Sequence, residues 1–343
     1  MKIPTALAWI LAPLGWLYGS VAAVRVWAYQ RGWKASHRPP MPTLSIGNIS
    51  AGGTGKTPLL LSAVQWLQRH DAKVGVLSRG YGGDEGRLLE NRHPQTILVE
   101  NPNRVQGLAQ MQERGGVEVV LLDDGFQHLR IRRDTDVVVL DATRPFGRCL
   151  PAGLLREFPR ALRRADAIVL SRTELVEAAE VEKIWQQVDQ IRVGLAELPR
   201  MEGGMCIVDL RQLTSGHIQP LEKMAGKSAF LSAGVGNPQS FATLCLRAGV
   251  NIIGTDWKSD HYAWKLADVA AWQAHDLVLV TEKDGVKLQP FASDNIWEVR
   301  ADWQFHRGQD QWEELLNLLY LPVRSAHIEP LWNAHDPDGR YVP

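Results

Sequence analysis

A doubly wound α/β fold with a mostly parallel sheet, built around a phosphate-binding loop, is predicted by three features of the sequence. First, Ser50-Ala51-Gly52-Gly53-Thr54-Gly55-Lys56-Thr57 nearly fits the pattern G-x-x-x-x-G-K-S/T, whose backbone N–H groups cradle phosphate oxygens. Second, the loop lies between an apolar run ending at Gly47 and a helical pattern that begins near Pro58, a residue suited to a first helical turn. Strand, glycine loop and helix in that order aim a helix N-terminus at an anion. Third, the apolar runs that follow are continuous rather than alternating, the mark of strands buried on both faces of a parallel sheet.

Taken in order, the chain opens on residues 1–36, read as an N-terminal membrane-associated helix. Ile3 to Val24 carry no formal charge, and Arg25, Arg31, Lys34 and Arg38 follow. That length suffices for a span, yet Pro4, Pro13, Gly15 and Gly19 interrupt it, and Trp9, Trp16, Tyr18, Trp27 and Trp33 favour the bilayer interface. The pattern predicts a helix lying in the membrane surface, with a single anchoring span and a helix docked on the protein as the other readings. Residues 37–203 read as the P-loop domain. Its strands are predicted around residues 42–47, 73–78, 96–99, 117–122, 136–140 and 167–170. Residues 204–325 read as a smaller α/β domain with linker strands and a C-terminal helix over 309–321; strands are predicted at 229–233, 251–254 and 277–280. A polar tail, 326–343, closes the chain.

Composition narrows the function. The 38 basic residues of the 343-residue chain equal the 38 acidic ones, so no global field favours nucleic acid. Cys149, Cys206 and Cys245 are odd in number and lack metal spacing, which fits a reducing compartment. No obligate protein partner is indicated.

The loop supplies the first chemistry. Gly52, Gly53 and Gly55 are able to take positive φ; Lys56 would reach the β/γ-phosphates, and Thr57 would bind Mg²⁺. Leu121-Leu122-Asp123-Asp124 ends an apolar strand with two acids, where a phosphate-loop enzyme places carboxylates to hold Mg²⁺. No Glu follows the pair, which tilts the reading toward transfer to an acceptor other than water. Thr281-Glu282-Lys283-Asp284 superficially resembles a guanine-binding loop, but Lys283 stands one place late and Asn is absent, so ATP is favoured. The residues alone thus give a membrane-associated P-loop phosphotransferase, with a membrane-associated P-loop ATPase or GTPase acting on a protein partner as the alternative.

Five segments add a resemblance: Ser45-Ile46-Gly47-Asn48, Leu77-Ser78-Arg79-Gly80-Tyr81, Leu122-Asp123-Asp124-Gly125-Phe126-Gln127-His128, Leu150-Pro151-Ala152-Gly153-Leu154-Leu155-Arg156-Glu157 and Asp260-His261-Tyr262. With these the sequence resembles the tetraacyldisaccharide 4′-kinases of lipid A synthesis, a family that also carries Ser where Ser50 stands. The resemblance implies ATP-dependent phosphorylation of the 4′-hydroxyl of a tetraacyldisaccharide 1-phosphate, with Mg²⁺ as cofactor. The lipid is the substrate, and the place of work is the cytoplasmic face of the inner membrane, peripherally or by a single anchor. It implies Mg²⁺ or its near neighbours at Thr57, Asp123, Asp124 and Glu157, and a catalytic dyad of Asp84 and His261 beside Lys56. Arg79, Arg104, Gln127, His128 and Arg156 match positions near the reacting phosphates and sugar. One departure stands out: a longer stretch separates Arg-Gly-Tyr from Gly-Asp-Glu in typical members, whereas here Gly82-Gly83-Asp84 follows Tyr81 at once. A deleted hairpin with the catalytic Asp retained is the expectation.

Overall fold

The computed structural model describes residues 5–80, 84–260 and 262–324. The chain begins with α1 (Thr5–Ile10) and α2 (Ala12–Gln30). There follow β1 (Thr43–Gly47), α3 (Lys56–Arg69), β2 (Val74–Ser78), α4 (Asp84–Arg92), β3 (Ile97–Glu100), α5 (Arg104–Arg114) and β4 (Val119–Asp123). Next come β5 (Thr135–Asp141), β6 (Ala167–Ser171), α6 (Ala178–Ile191), β7 (Arg200–Gln212) and β8 (Ile218–Pro220). The remainder is β9 (Ser228–Ala233), α7 (Pro238–Arg247), β10 (Asn251–Trp257), α8 (Leu266–Trp272), β11 (Val278–Thr281), α9 (Glu282–Leu288), β12 (Ile296–Arg307) and α10 (Gln309–Arg324).

The chain forms two compact units: Met1–Arg79 with Gln95–Gly204 and Phe305–Pro343, and Gly80–Pro94 with Met205–Gln304. In the first, the strand order is β7-β6-β5-β1-β4-β2-β3, and the pairs are parallel. Every residue of β1 and β6 is buried, which is why their sequences show no alternation. Val120 and Leu122 of β4 pack with Leu108 and Met111 of α5, and Leu121 between them points to the opposite face. Val138, Leu140, Ile168 and Leu170 pack under Val181, Ile184, Trp185 and Val188 of α6. The predicted doubly wound sheet is thus present.

The second unit orders β10-β9-β11-β12-β7, with β8 antiparallel on β7. Its two cores gather Leu231, Phe241, Cys245 and Leu279, and Trp264, Trp272, Val280 and Leu288. The long strands β7 and β12 carry the chain between the units. They are only partly buried, so their sequences carry a weaker apolar signal than the short central strands.

Three boundaries differ from the sequence reading. Residues 80–94 group with the second unit, because α4 packs on α9 and Arg92 pairs with Glu282 and Asp302. The α10 helix belongs to the first unit, where it packs on α3. Residues 1–36 also belong there, because α2 docks through its two buried residues, Gly15 and Gly19. A Cβ on Gly15 would stand 2.7 Å from the Cys149 carbonyl oxygen, and one on Gly19 would stand 2.5 Å from the Phe158 ring. Those glycines, read from sequence as interruptions, are therefore the contact surface. Arg25 adds a hydrogen bond from Nη2 to the Gln127 carbonyl at 2.9 Å. Among the described residues no helix is long and apolar enough to cross a membrane, so the reading of α2 as a single anchoring span is set aside.

Candidate active site

The loop after β1 is held from behind. Ala51 N–H donates to the Leu154 carbonyl at 2.7 Å, Arg156 N–H donates to Ile49, and Ser50 bridges to Leu155. Thr54 is buried, its hydroxyl accepting from Asn48 Nδ2 at 2.8 Å and its carbonyl from the Ser171 hydroxyl at 2.7 Å. Gly52 and Gly55 take the left-handed region at φ 98° and 86°, whereas Gly53 does not. Gly55 caps α3 without a side-chain hydrogen bond, so the first N–H groups of α3 are not satisfied by a capping side chain. A helix N-terminus with its N–H groups left open in this way suits an anion.

Beside β1, the register places Ile46 opposite Asp123, and Asp124 N–H donates to the Ile46 carbonyl. Asp124 takes φ 53°, an uncommon value for a residue with a Cβ. Its carboxylate meets Lys56 Nζ at 3.5 Å and Arg156 Nη1 at 2.6 Å. Burial alone would raise its pKa; the charges of Lys56 and Arg156 more than reverse this, leaving it below the usual carboxylate range. Arg104 opens α5 almost fully buried and donates to the Asp123 carbonyl at 2.9 Å. Desolvation lowers its pKa to about 10 against the opposing pull of Asp123 and Asp124. His128 is half-buried, and burial with the Arg104 charge lowers its pKa to about 4. It is therefore a neutral donor or acceptor near neutral pH.

Gln127 donates to the Asn48 carbonyl at 2.8 Å and to Glu157 Oε1 at 3.1 Å. Glu157 is buried and also receives Arg164 on both oxygens, at 2.8 and 3.2 Å. Its carboxylate is thus committed to side chains that fix Gln127 and the segment behind the loop. Arg79 follows β2 and is exposed, and its charge acts on Arg104 and His128. Asp84 is the first residue of α4, and its side chain lies outside the described residues. His261 and the shortened stretch at residues 81–83 also lie outside them.

The structure thus brings together Lys56, Asp124, Arg156 and Gln127, with Asp123, Arg104 and His128 adjoining. Sequence reasoning missed Asn48 and Arg164, which orient the loop and Glu157. Asn48 stood inside a quoted motif; Arg164 has no spacing signal. The donors fit a hard divalent cation in part. Thr57, Asp123 and Asp124 offer oxygen, and the buried Asp124 Oδ1 faces Lys56 Nζ at 3.5 Å, an ion pair longer than a good hydrogen bond. Among the described residues no group of three or more acidic, His or Cys side chains makes a cage by itself. An ion held jointly by one or two carboxylates and substrate phosphates needs none.

The family model described as "Tetraacyldisaccharide-1-P 4′-kinase" matches residues 7–320. The chain is 39% identical over 311 residues to the tetraacyldisaccharide 4′-kinase of Syntrophotalea carbinolica, covering 81% of this chain and 82% of that protein. It is 30% identical over 330 residues to the protein of the same name from Haemophilus influenzae, covering 90% and 92%. The crystal structure of LpxK from Aquifex aeolicus in complex with ATP superposes with a TM-score of 0.74 at 25% identity, covering 92% of this chain and 99% of that one.

Proposed function

The chain belongs to the tetraacyldisaccharide-1-phosphate 4′-kinase family, and from that premise we propose that the loop of residues 50–57 and the acids after β4 are its phosphotransfer site. The enzyme is an ATP-dependent kinase that transfers the γ-phosphoryl group to the 4′-hydroxyl of a tetraacyldisaccharide 1-phosphate. The observation that carries the site assignment is Asp124, which Lys56 and Arg156 both meet beside the α3 N-terminus. The family match gives no support to an ATPase acting on a protein partner.

When ATP binds, the N–H groups of the loop and of α3 donate to its phosphate oxygens. Lys56 and Arg156 leave Asp124 for the β- and γ-phosphates, where their charge offsets that spreading over the transferring group. Thr57, Asp123 and Asp124 would hold Mg²⁺, which when bound would neutralise phosphate charge. Glu157, committed to Arg164 and Gln127, supports that set rather than ligating. Gln127, neutral His128, Arg104 and Arg79 are assigned to the phosphates and sugar.

Asp84 and His261 are assigned to the proton of the attacking hydroxyl. A positioned base typically contributes roughly 10²–10⁴-fold. Residues acting as one unit are non-additive, so Asp84→Ala, His261→Ala and the double variant should lose less than multiplicatively in kcat, with ATP affinity nearly unchanged. Near wild-type kcat in Asp84→Ala would move the base elsewhere, with Asp123 the next candidate.

At the inner membrane's cytoplasmic face, α2 lies in the bilayer surface. Exposed Ile10, Leu14, Leu17, Val21 and Val24, with Trp9 and Trp16, support this, as do Arg31 and Lys34 beyond its end.

A further inference from the structure

The two neighbours of β1 frame the loop from either side, and only one of them belongs to the site described so far. On the β4 side stand Asp123 and Asp124, with Lys56, Arg104 and Arg156 gathered there. On the β5 side, the strand ends in Asp141, and Thr143 and Arg144 follow it. Asp141 is buried, and its hydrogen bonds are extensively used. Its Oδ1 accepts from the Thr143 N–H at 3.0 Å and from the Thr143 hydroxyl at 2.6 Å. Its Oδ2 pairs with Arg172 and with Arg144 Nε, the latter at 3.1 Å.

Arg172 already balances the Asp141 charge, so Arg144 is surplus to the local pairing. Its side chain is 40% exposed. Among the described residues its guanidinium is held through Nε alone, leaving the fork of Nη groups uncommitted. That fork stands at the loop: Nη2 is 3.6 Å from where a Cβ on Gly52 would lie, and no other described atom outside the chain neighbours comes within 4 Å of that point. Gly52, at φ 98°, presents its backbone on this flank.

We propose that Arg144 is a further phosphate-binding and catalytic residue, which moves from Asp141 onto the outer phosphate of ATP from the flank opposite Lys56 and Arg156. Charge develops over three equatorial oxygens of the transferring group, so donors arriving from one side leave part of it unmet. A guanidinium fork matches two of those oxygens at once. This inference rests on the phosphate-loop reading given above, and Arg144 lies outside the set that reading assigned.

The test compares ATP and ADP binding by calorimetry in excess Mg²⁺, alongside kcat, for the wild type, Arg144→Gln, Arg144→Lys and Lys56→Ala. Gln keeps a donor toward Asp141, so the buried carboxylate stays hydrogen-bonded and the fold is retained. Arg144→Gln should weaken ATP about tenfold while leaving ADP within about threefold, because a charge-assisted contact to the outer phosphate is lost. Its kcat should fall about 10²-fold. Arg144→Lys should recover much of the ATP affinity and little of kcat, since an ammonium has no fork. Equal effects on ATP and ADP, or wild-type binding and kcat in Arg144→Gln with a damaged Lys56→Ala, would overturn this inference alone. Wild-type ATP binding and turnover in Lys56→Ala would overturn the phosphate-loop reading and this inference with it.

Discussion

Asp124 gathers two cations of the candidate site, Lys56 and Arg156, around one side chain. Its left-handed backbone sets its carboxylate between Lys56 and Arg156, a geometry available only because the chain turns immediately after β4. Lys56, Asp123 and Asp124 were legible in the sequence, since a glycine loop and paired acids at a strand end have fixed spacing. Arg164 and Arg144 were not legible, because an arginine that fixes a buried carboxylate or stands beside a loop is placed by tertiary contact, with no local pattern. For His128, which the resemblance placed near the reacting phosphates and sugar, the structure adds a charge state: burial and the Arg104 charge keep it neutral. That shift gives a pH dependence of known sign. The folded pKa lies near 4 and the ordinary value is 6.5, so the unfolded chain binds more protons between those values. Stability present above about pH 6.5 is therefore lost as pH falls toward 4. The melting temperature of His128→Gln should fall less steeply across that window than the wild type's; parallel curves would contradict the neutral assignment.

Among the elements, α4 shows how a short helix is fixed by its last residue. Arg92 donates Nε to Glu282 at 2.7 Å, reaches the Ala301 carbonyl at 3.1 Å and pairs with Asp302. Glu282 belongs to the stretch whose sequence superficially suggested a guanine loop. Lys283 pairs with Asp260 at 3.4 Å, and Asp284 is fully buried, accepting from the Gly234 N–H and the Trp264 indole, each at 3.0 Å. The stretch is thus a fastening for neighbouring segments, which explains why it failed as a nucleotide motif. Since α4 begins at Asp84, Arg92→Ala should displace that residue and lower kcat on the order of 10²-fold, as a misplacement of about 1 Å does. The KM for ATP should stay near wild type, and Arg92→Lys should restore part of the rate. A raised KM for ATP with unchanged kcat would show that α4 does not carry the base.

At the scale of the molecule, both α/β units were legible because their central strands are short, buried and continuously apolar. Their boundaries were not, because the chain passes between the units more than once and the crossing segments β7 and β12 are only partly buried. Likewise the length and hydrophobicity of the N-terminal segment suggested a membrane role, but only the packing of Gly15 and Gly19 shows which face of α2 stays exposed. Leu17, Val21 and Val24 are each more than half exposed, so changing all three to Glu should leave the fold intact and reduce co-flotation with anionic phospholipid vesicles. Undiminished flotation would place the membrane contact elsewhere.

The most direct measurement of the central claim is incubation of the full chain with γ-labelled ATP and a tetraacyldisaccharide 1-phosphate, followed by thin-layer separation of the lipid. Because the proposed site moves a phosphoryl group to a sugar hydroxyl, the wild type should place label on the lipid and Lys56→Ala should place none, with its fold unchanged by circular dichroism. Release of labelled inorganic phosphate with no labelled lipid, or equal labelling by Lys56→Ala, would contradict the account.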